Sequence, residues 1–372
     1  MNPQFQRWMD KATRLTRAGD LRAATAAIRA ALGGSRPPPA NDEVCVIDVE
    51  AREVPSEPVC PPFAERCDEP FIDLPTSPAA PDVPPVDPPV YPPTDRFIAG
   101  HYADAHGARD YKLYVPPQAG QRPLPLVVML HGCTQDPDDF AAGTGMNEAA
   151  AELGCFVLYP AQSRQANPQG CWSWFKRSHQ RAGRGEPALL AGMARAVMAE
   201  HGVDPRRVYV AGLSAGGAMA AVLGDAYPEM FAAVGVHSGL PTGAAKDLPS
   251  AFAAMKQGTM VAPGGCAPPT IVFHGDEDAT VHRSNGERAA AASAGNARMA
   301  TTSGLSPGGR RYTRCVYRDD AGRVVAEHWS LHGAGHAWSG GSPRGSYTDP
   351  AGPDATREML RFFAQQARRD AA

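Results

Sequence analysis

The sequence has little net charge, no long apolar run and no apolar leader. Its 372 residues contain 36 Lys and Arg against 39 Asp and Glu, and the formal net charge of -3 gives no reason to expect a nucleic-acid or anionic-membrane partner. No apolar stretch approaches the roughly 20 residues of a membrane-spanning helix, so we expect no transmembrane segment. We predict no metal site among the histidines.

The N-terminus and the cysteine content point to different compartments. Charged residues occur throughout residues 1–32, which is not the pattern of a secretory signal peptide. Eight cysteines, however, are many for a reduced cytosolic enzyme and favour an oxidising compartment. The sequence therefore leaves the localisation open between the extracellular space and the cytoplasm.

Composition divides the chain into three parts. Residues 1–34 are rich in Ala and Arg and are predicted to form a short helical segment. Residues 35–94 contain repeated proline doublets, which remove backbone donors and disfavour helix, so we predict an extended linker there. Residues 95–372 alternate short apolar runs with helical stretches, the pattern of an α/β domain with a mostly parallel sheet covered by helices on both faces.

The third part can be divided into elements by its hydrophobic pattern. Strands are predicted at 111–115, 126–130, 155–159, 208–211, 232–236, 270–274 and 324–331. Helices are predicted at 140–153, 187–201, 215–226, 283–294 and 354–367.

Ser214 lies between a predicted strand and a predicted helix in the motif Gly-Leu-Ser-Ala-Gly-Gly at 212–217. This is typical of a nucleophile elbow, a turn so tight that only Gly fits where the helix crosses back over the strand. A glycine-rich turn that merely packs would show the same motif. Because a free hydroxyl is a poor nucleophile, the catalytic interpretation also requires a base, an acid to orient that base, and oxyanion donors.

The acid and the base are sought after later strands, in the chain order Ser, Asp, His. Asp278 is our choice for the acid, because the apolar residue three positions later would anchor its loop on the core. Asp276 remains an alternative, and Glu277 is expected to be exposed to solvent or to cap a helix. His336, in a loop of small residues, is our choice for the base, with His332 as its rival. The remaining strand-end histidines are expected to be satisfied in or near the core: His131, His237 and His274.

Backbone amides are expected to form the oxyanion hole, at Ala215 and at Cys133 in the turn after strand 126–130. Losing one such donor costs about 3–4 kcal/mol of transition-state stabilisation. Cys133 as the nucleophile is a weaker alternative, because no acid–histidine pair is better placed around it. We expect it instead in a disulfide with Cys171, and a second pairing, Cys266 with Cys315, is a further candidate that sequence cannot fix.

Three tryptophans fall in predicted loops. Trp172, Trp174 and Trp338 either pack or line an acyl or alkyl pocket beside the nucleophile. We expect them to bind substrate.

Five motifs, in this order, strongly resemble the esterase family of poly(3-hydroxybutyrate) depolymerases: LHGCTQ at 130–135, YPAQ at 159–162, GCWSWF at 170–175, GLSAGG at 212–217 and GHAW at 335–338. Feruloyl and acetylxylan esterases look similar. The resemblance covers about Phe97 to the C-terminus. The resemblance implies an α/β-hydrolase fold, ester hydrolysis through an acyl-serine intermediate, and no cofactor. It also implies that Ser214, Asp278 and His336 form the catalytic triad and that the Cys133 amide lies at the oxyanion site.

We therefore expect a serine esterase acting on poly- or oligo-3-hydroxybutyrate-type esters. A carbohydrate esterase for feruloyl or acetyl groups is the first alternative, and a non-catalytic polymer- or granule-binding protein is the second. Family members often carry a signal peptide and a separate polymer-binding domain, and neither is evident in this sequence. The N-terminal helical segment is our candidate for attachment to a polymer granule or a protein.

Overall fold

The structure is a computed structural model that describes residues 96–259 and 267–368. The predicted helical segment at 1–34 and the linker at 35–94 lie outside the described residues. In the described part of the chain, no helix combines the length and the apolar character needed to cross a bilayer.

Ten strands form one sheet in the order β1-β2-β4-β3-β5-β6-β7-β10-β9-β8. The strands are β1 (Arg96–Asp104), β2 (Gly107–Val115), β3 (Leu124–Leu130), β4 (Phe156–Pro160), β5 (Val203–Leu213), β6 (Ala233–His237), β7 (Thr270–Gly275), β8 (Arg298–Leu305), β9 (Arg311–Arg318) and β10 (Val324–Leu331). The central strands from β4 to β10 pair in parallel, and the pairs at both edges are antiparallel. Two short strands, β11 (Trp338–Ser339) and β12 (Thr348–Asp349), pair separately.

Helices cover both faces of this sheet. They are α1 (Pro137–Thr144), α2 (Met146–Leu153), α3 (Gly185–His201), α4 (Ala215–Ala226), α5 (Leu248–Gln257), α6 (Ser284–Ala294) and α7 (Ala355–Ala364), with a 3₁₀ helix at Arg177–His179. Successive side chains along β3 point into two different cores. Leu126 and Val128 pack in the core beneath α3 and α4, whereas Val127 and Met129 pack in the core beneath α1, α2 and α7. The central strands are therefore buried on both sides, as parallel sheets require.

The predicted fold class is confirmed, and all seven predicted strands are present, six with shifted bounds and the strand at 324–331 with the predicted ones. The predicted helix at 140–153 is two helices, because Gly145 adopts φ 62° and ends α1 before α2 begins. Helix α5 and strands β1, β8 and β9 were not predicted.

Five strand ends meet at one edge of the sheet and carry the loops of interest. Leu130 of β3 is in register with Gly212 of β5, and Leu213 with His237 of β6. Gly275 of β7 is in register with Leu331 of β10. Since parallel strands end on the same side, segments far apart in sequence converge there, where ligands bind in open α/β sheets.

Candidate active site

Ser214 occupies the sharp turn between β5 and α4. Its backbone has φ 58° and ψ -119°, a conformation that is strained for a residue with a side chain. A Cβ on Gly216 would collide with the carbonyl oxygen of Leu130, and one on Gly212 would collide with the backbone of Gly216. The flanking glycines are therefore required by close backbone approach, as the motif predicted.

His336 lies in the loop after β10 and contacts Asp278 in the loop after β7. Its Nδ1 is 2.7 Å from Asp278 Oδ2, and the Asp278 side chain is fully buried. Since the ionised carboxylate only accepts, Nδ1 carries the proton and Nε2 is left with a free lone pair. This is the tautomer that a general base needs.

The carboxylate of Asp278 is held in its ionised form. Its Oδ1 accepts hydrogen bonds from the Thr280 amide at 2.9 Å and the Val281 amide at 2.8 Å. Burial, the largest influence, raises the pKa of this carboxyl, but the hydrogen bond and charge of His336 and the Val281 amide outweigh it and bring the pKa below its ordinary value. Val281 itself is buried, as expected for the anchor of this loop.

The alternative acid and base form a second, separate pair. Asp276 Oδ2 lies 2.9 Å from His332 Nδ1, and Asp276 Oδ1 accepts from the Gly333 amide at 2.7 Å. His332 Nε2 lies 2.9 Å from the Thr313 hydroxyl. The structure thus brings Asp278 to His336 and Asp276 to His332.

Ser214 and His336 line one cavity of about 290 Å³. Gly132 and Cys133 line it as well, and Met255 and Tyr347 form part of its wall. Neither member of the Asp276–His332 pair lines this cavity.

The loop after β3 lies against the elbow. A Cβ on Gly132 would be 3.7 Å from Ser214 Cβ. The Gly132 amide donates to Gln135 Oε1 at 2.9 Å, and Gln135 Nε2 donates to Asp139 Oδ2 at 2.9 Å, so α1 fixes the loop. Within the described residues the amides of Cys133 and Ala215 have no acceptor, which leaves both available for an oxyanion.

A match to a family model covers residues 109–297, and its description is Esterase PHB depolymerase. The chain belongs to this family. Ser214 and Asp278 lie inside the matched region and His336 lies beyond it. Feruloyl and acetylxylan esterases are also related to the chain over shorter stretches.

Two curated relatives of this esterase family are depolymerases. The poly(3-hydroxyalkanoate) depolymerase C of Paucimonas lemoignei is 30% identical over 226 residues, which is 57% of this chain and 54% of the relative. The poly(3-hydroxybutyrate) depolymerase of Ralstonia pickettii is 33% identical over 239 residues, 58% of this chain and 48% of the relative. The chain thus spans about half the length of these relatives.

A solved structure supports the fold. The acetyl xylan esterase from Aspergillus awamori superposes with a TM-score of 0.58 at 20% identity, covering 72% of this chain and 99% of that chain. The chain has the α/β-hydrolase fold that the sequence motifs implied.

The predicted disulfide of this family member is present. Cys133 and Cys171 are bonded, with their Cα atoms 4.3 Å apart, and so join the loop after β3 to the loop at 170–175. Cys315 carries a free thiol, so the second candidate pairing is not formed; its partner Cys266 lies outside the described residues.

The tryptophans do not line the Ser214 cavity, and all three are buried, which favours the packing alternative. Trp172 is fully buried and donates from Nε1 to the His131 carbonyl at 3.1 Å. Trp338 is 1% exposed and donates to Thr356 Oγ1 at 3.0 Å, and Trp174 is buried too. The predicted loop positions were therefore not exposed, and Trp338 belongs to the short strand β11.

The strand-end histidines are buried in the core, as expected, but within the part of the chain that the structure describes the Nδ1 atom of His274 has no hydrogen-bond partner. His131 Nδ1 donates to the Gly132 carbonyl at 2.7 Å, and its Nε2 accepts from the Gln162 amide. His274 Nε2 donates to the Val281 carbonyl at 2.8 Å. Burial lowers the pKa of both rings.

His237 joins the nucleophile to the histidine loop. Its carbonyl accepts from the Ser214 amide at 2.9 Å, and its ring Nε2 accepts from the Ser339 amide at 2.9 Å. The ring stacks on Trp338 with centroids 5.0 Å apart. Burial chiefly, with the charges of His274 and His336, lowers the pKa of His237 to about 3, so the ring stays a neutral acceptor.

His328, His332 and His336 recur at every fourth position, but they do not share a site. Such spacing brings two ligands together on a helix. Here the residues lie on β10 and in the loop after it, where His328 is buried, His332 meets Asp276 and His336 meets Asp278.

Met255 and Tyr347 line the cavity and were not singled out from the sequence. Met255 belongs to α5, which was not predicted, and Tyr347 lies in a loop rich in Gly and Ser without a recognisable motif. The Tyr347 hydroxyl lies 3.1 Å from Thr134 Oγ1, beside the Cys133 loop.

Proposed function

We propose that this chain is a serine esterase that hydrolyses poly- or oligo-3-hydroxybutyrate-type esters through an acyl-serine intermediate. Its family and its depolymerase relatives support ester hydrolysis. The observation that carries the proposal is that Ser214 and the Asp278-bound His336 line the same cavity.

In the proposed reaction, Ser214 Oγ attacks the ester carbonyl carbon while His336 Nε2 takes the hydroxyl proton. Asp278 stabilises the imidazolium that forms. The amides of Cys133 and Ala215 donate to the oxyanion, and each such donor contributes about 3–4 kcal/mol. When the intermediate collapses, the carbon–oxygen bond to the alcohol breaks, and His336 returns the proton to the departing oxygen.

Water completes the cycle by the same route. His336 takes a proton from water, the hydroxide attacks the acyl-serine, and Ser214 leaves with the proton. The products are one carboxylic acid and one alcohol. The proposal requires no cofactor or metal, because each step moves only protons and electron pairs between these groups.

The cavity suits a short acyl group. A volume of about 290 Å³ is at the small end of ligand sites, and Leu213, Met255 and Tyr347 give it an apolar lining. A four-carbon 3-hydroxybutyryl unit fits this description better than a long acyl chain.

The test uses purified full-length protein with amorphous polyhydroxybutyrate, a 3-hydroxybutyrate oligomer, acetylated xylan and feruloylated arabinoxylan. We expect 3-hydroxybutyrate units as products from the first two substrates. Release of acetate or ferulate alone would favour a carbohydrate esterase instead.

Ser214→Ala is the decisive variant for the esterase mechanism. Its turnover of p-nitrophenyl butyrate is expected to fall by about 10⁴- to 10⁶-fold. Activity within tenfold of the wild type would reject Ser214 as the nucleophile. The N-terminal segment at 1–34 remains our proposal for attachment to a polymer granule or protein partner.

A further inference from the structure

A second cavity of about 770 Å³ lies beside the candidate active site. Its lining is polar and includes Asp276, Glu277, Arg283, Arg311 and His332. It opens where β7 and β10 end, next to strands β8 and β9.

The loop from Asp276 to Arg283 is the wall shared by the two cavities. Thr280 faces the cavity of Ser214, and Asp278 binds His336. Glu277 and Arg283, on the same loop, line the second cavity. A ligand in the second cavity therefore lies next to the residues that orient the base.

Two arginines of this cavity have unused donors. Arg283 and Arg311 are exposed, and their guanidinium groups have no ion pair or hydrogen bond within the described residues. Neighbouring arginines are paired: Arg310 with Asp349 at 3.0 Å, and Arg314 with Glu327 at 2.9 Å.

The acidic side chains of the cavity differ in their partners. Both oxygens of Asp276 already accept, from His332 and from the Gly333 amide. Burial raises the pKa of Asp276, but these two hydrogen bonds and the charges of His332 and Arg283 bring it below its ordinary value. Glu277 is exposed and has no side-chain partner within the described residues. The side chains of this cavity that are free to bind a ligand are therefore two positively charged guanidinium groups and one negatively charged carboxylate.

We propose that Arg283 and Arg311 form a subsite for the carboxylate of the leaving group, in the cavity beside the loop that carries Asp278. The proposal rests on the proposed function. Each cleavage of a poly-3-hydroxyacid releases an alcohol that is itself a 3-hydroxycarboxylate, so the leaving group carries a carboxylate at its far end. Guanidinium groups bind carboxylates through paired, charge-assisted hydrogen bonds. The subsite binds the free acid end of an oligomer while an ester of the same molecule lies at Ser214.

The test compares a 3-hydroxybutyrate trimer with its C-terminal carboxamide, which lacks the negative charge and adds no further ester bond. Both substrates meet the same catalytic residues, so the ratio of their kcat/KM values isolates the carboxylate contact. We expect the wild type to prefer the free acid by about tenfold or more, the range of one charged hydrogen bond.

Arg283→Gln and Arg311→Gln should each bring this ratio close to one, mainly through a higher KM for the acid. Glu277→Gln should raise the ratio, because it removes the opposing charge. Arg298→Gln, which changes an exposed arginine of β8 outside the cavity lining, is the matched control and should leave the ratio unchanged.

A wild type that hydrolyses both trimers equally, or arginine variants that lose both activities in parallel, would overturn the subsite. Hydrolysis of p-nitrophenyl butyrate by the wild type separates the two claims. If that activity is present and depends on Ser214, only the subsite has failed; if it is absent, the proposed function has failed.

Discussion

At the scale of single residues, the account depends on which carboxylate orients the base. Asp278 and Asp276 are two residues apart, and each contacts a different histidine. The carboxylate of Asp278 fixes the proton on His336 Nδ1, and an amide at this position stabilises the wrong tautomer.

Asp278→Asn is therefore expected to lower kcat on p-nitrophenyl butyrate by about 10⁴-fold. Asp276→Asn is the matched control and should change it by less than about threefold, since Asp276 does not face the Ser214 cavity. Steady-state kinetics of the two variants checks this. If Asp276→Asn lowers kcat more than Asp278→Asn does, Asp276 rather than Asp278 orients the base.

The residues of the proposed triad could be singled out from the sequence because each follows a buried strand. Ser214 is marked by its glycines, and Asp278 and His336 by their places after β7 and β10. The pairing of the acids with the histidines was a choice between alternatives, since neighbouring positions in one loop differ only in the direction of their side chains. The burial of the tryptophans was not predictable for a similar reason: Trp338 is covered through Thr356 of α7, a contact that the local sequence does not show.

At the scale of elements, the loop after β3 is held by the disulfide between Cys133 and Cys171. The two residues are 38 positions apart, and closing a loop of this length is worth roughly 4 kcal/mol in the chain-entropy model. The bond also fixes the loop that carries the Cys133 amide.

The double variant Cys133→Ser, Cys171→Ser is expected to lose up to about 4 kcal/mol of unfolding free energy. Its kcat should fall as well, because the oxyanion donor is less well positioned. Urea unfolding and kinetics measure the two effects. Cys315→Ser is the control: it removes a thiol that is not in a disulfide and should change neither the unfolding free energy nor kcat. Unchanged stability of the double variant would argue against the disulfide.

Buried elements were predicted better than exposed ones. Strands such as β3 and β7 are continuous apolar runs and were found with small errors at their ends. Strand β8 is exposed along nearly its whole length and contains Thr, Ser and Gly, so it has no apolar periodicity to detect. It forms only because β9 pairs with it. Helix α5 was not predicted either, because it buries only two small alanines and has no clear apolar periodicity.

At the scale of the whole molecule, buried neutral histidines make stability depend on pH. Burial chiefly, with the charge of His274, lowers the pKa of His328 to about 4, and its Nε2 has no partner. An unfolded histidine has a pKa of about 6.5. Between these values the unfolded chain binds a proton that the folded His328 does not, so the unfolding free energy decreases as the pH falls through this window.

His328→Leu is expected to weaken this dependence. The loss of unfolding free energy between pH 7 and pH 5 should be smaller in the variant than in the wild type, as measured by urea titrations. His106→Gln, in an exposed turn, is the control and should keep the wild-type slope. An unchanged slope in His328→Leu would mean that the ring is not held neutral.

The sheet brings two histidine–aspartate pairs and two cavities to one edge, and only one cavity contains Ser214. The most direct test of this arrangement is covalent labelling of the native protein with a fluorophosphonate, followed by peptide mass spectrometry. We predict one adduct, on Ser214, and its loss in His336→Ala but not in His332→Ala. Absence of the adduct, or an adduct on another residue, would contradict the account.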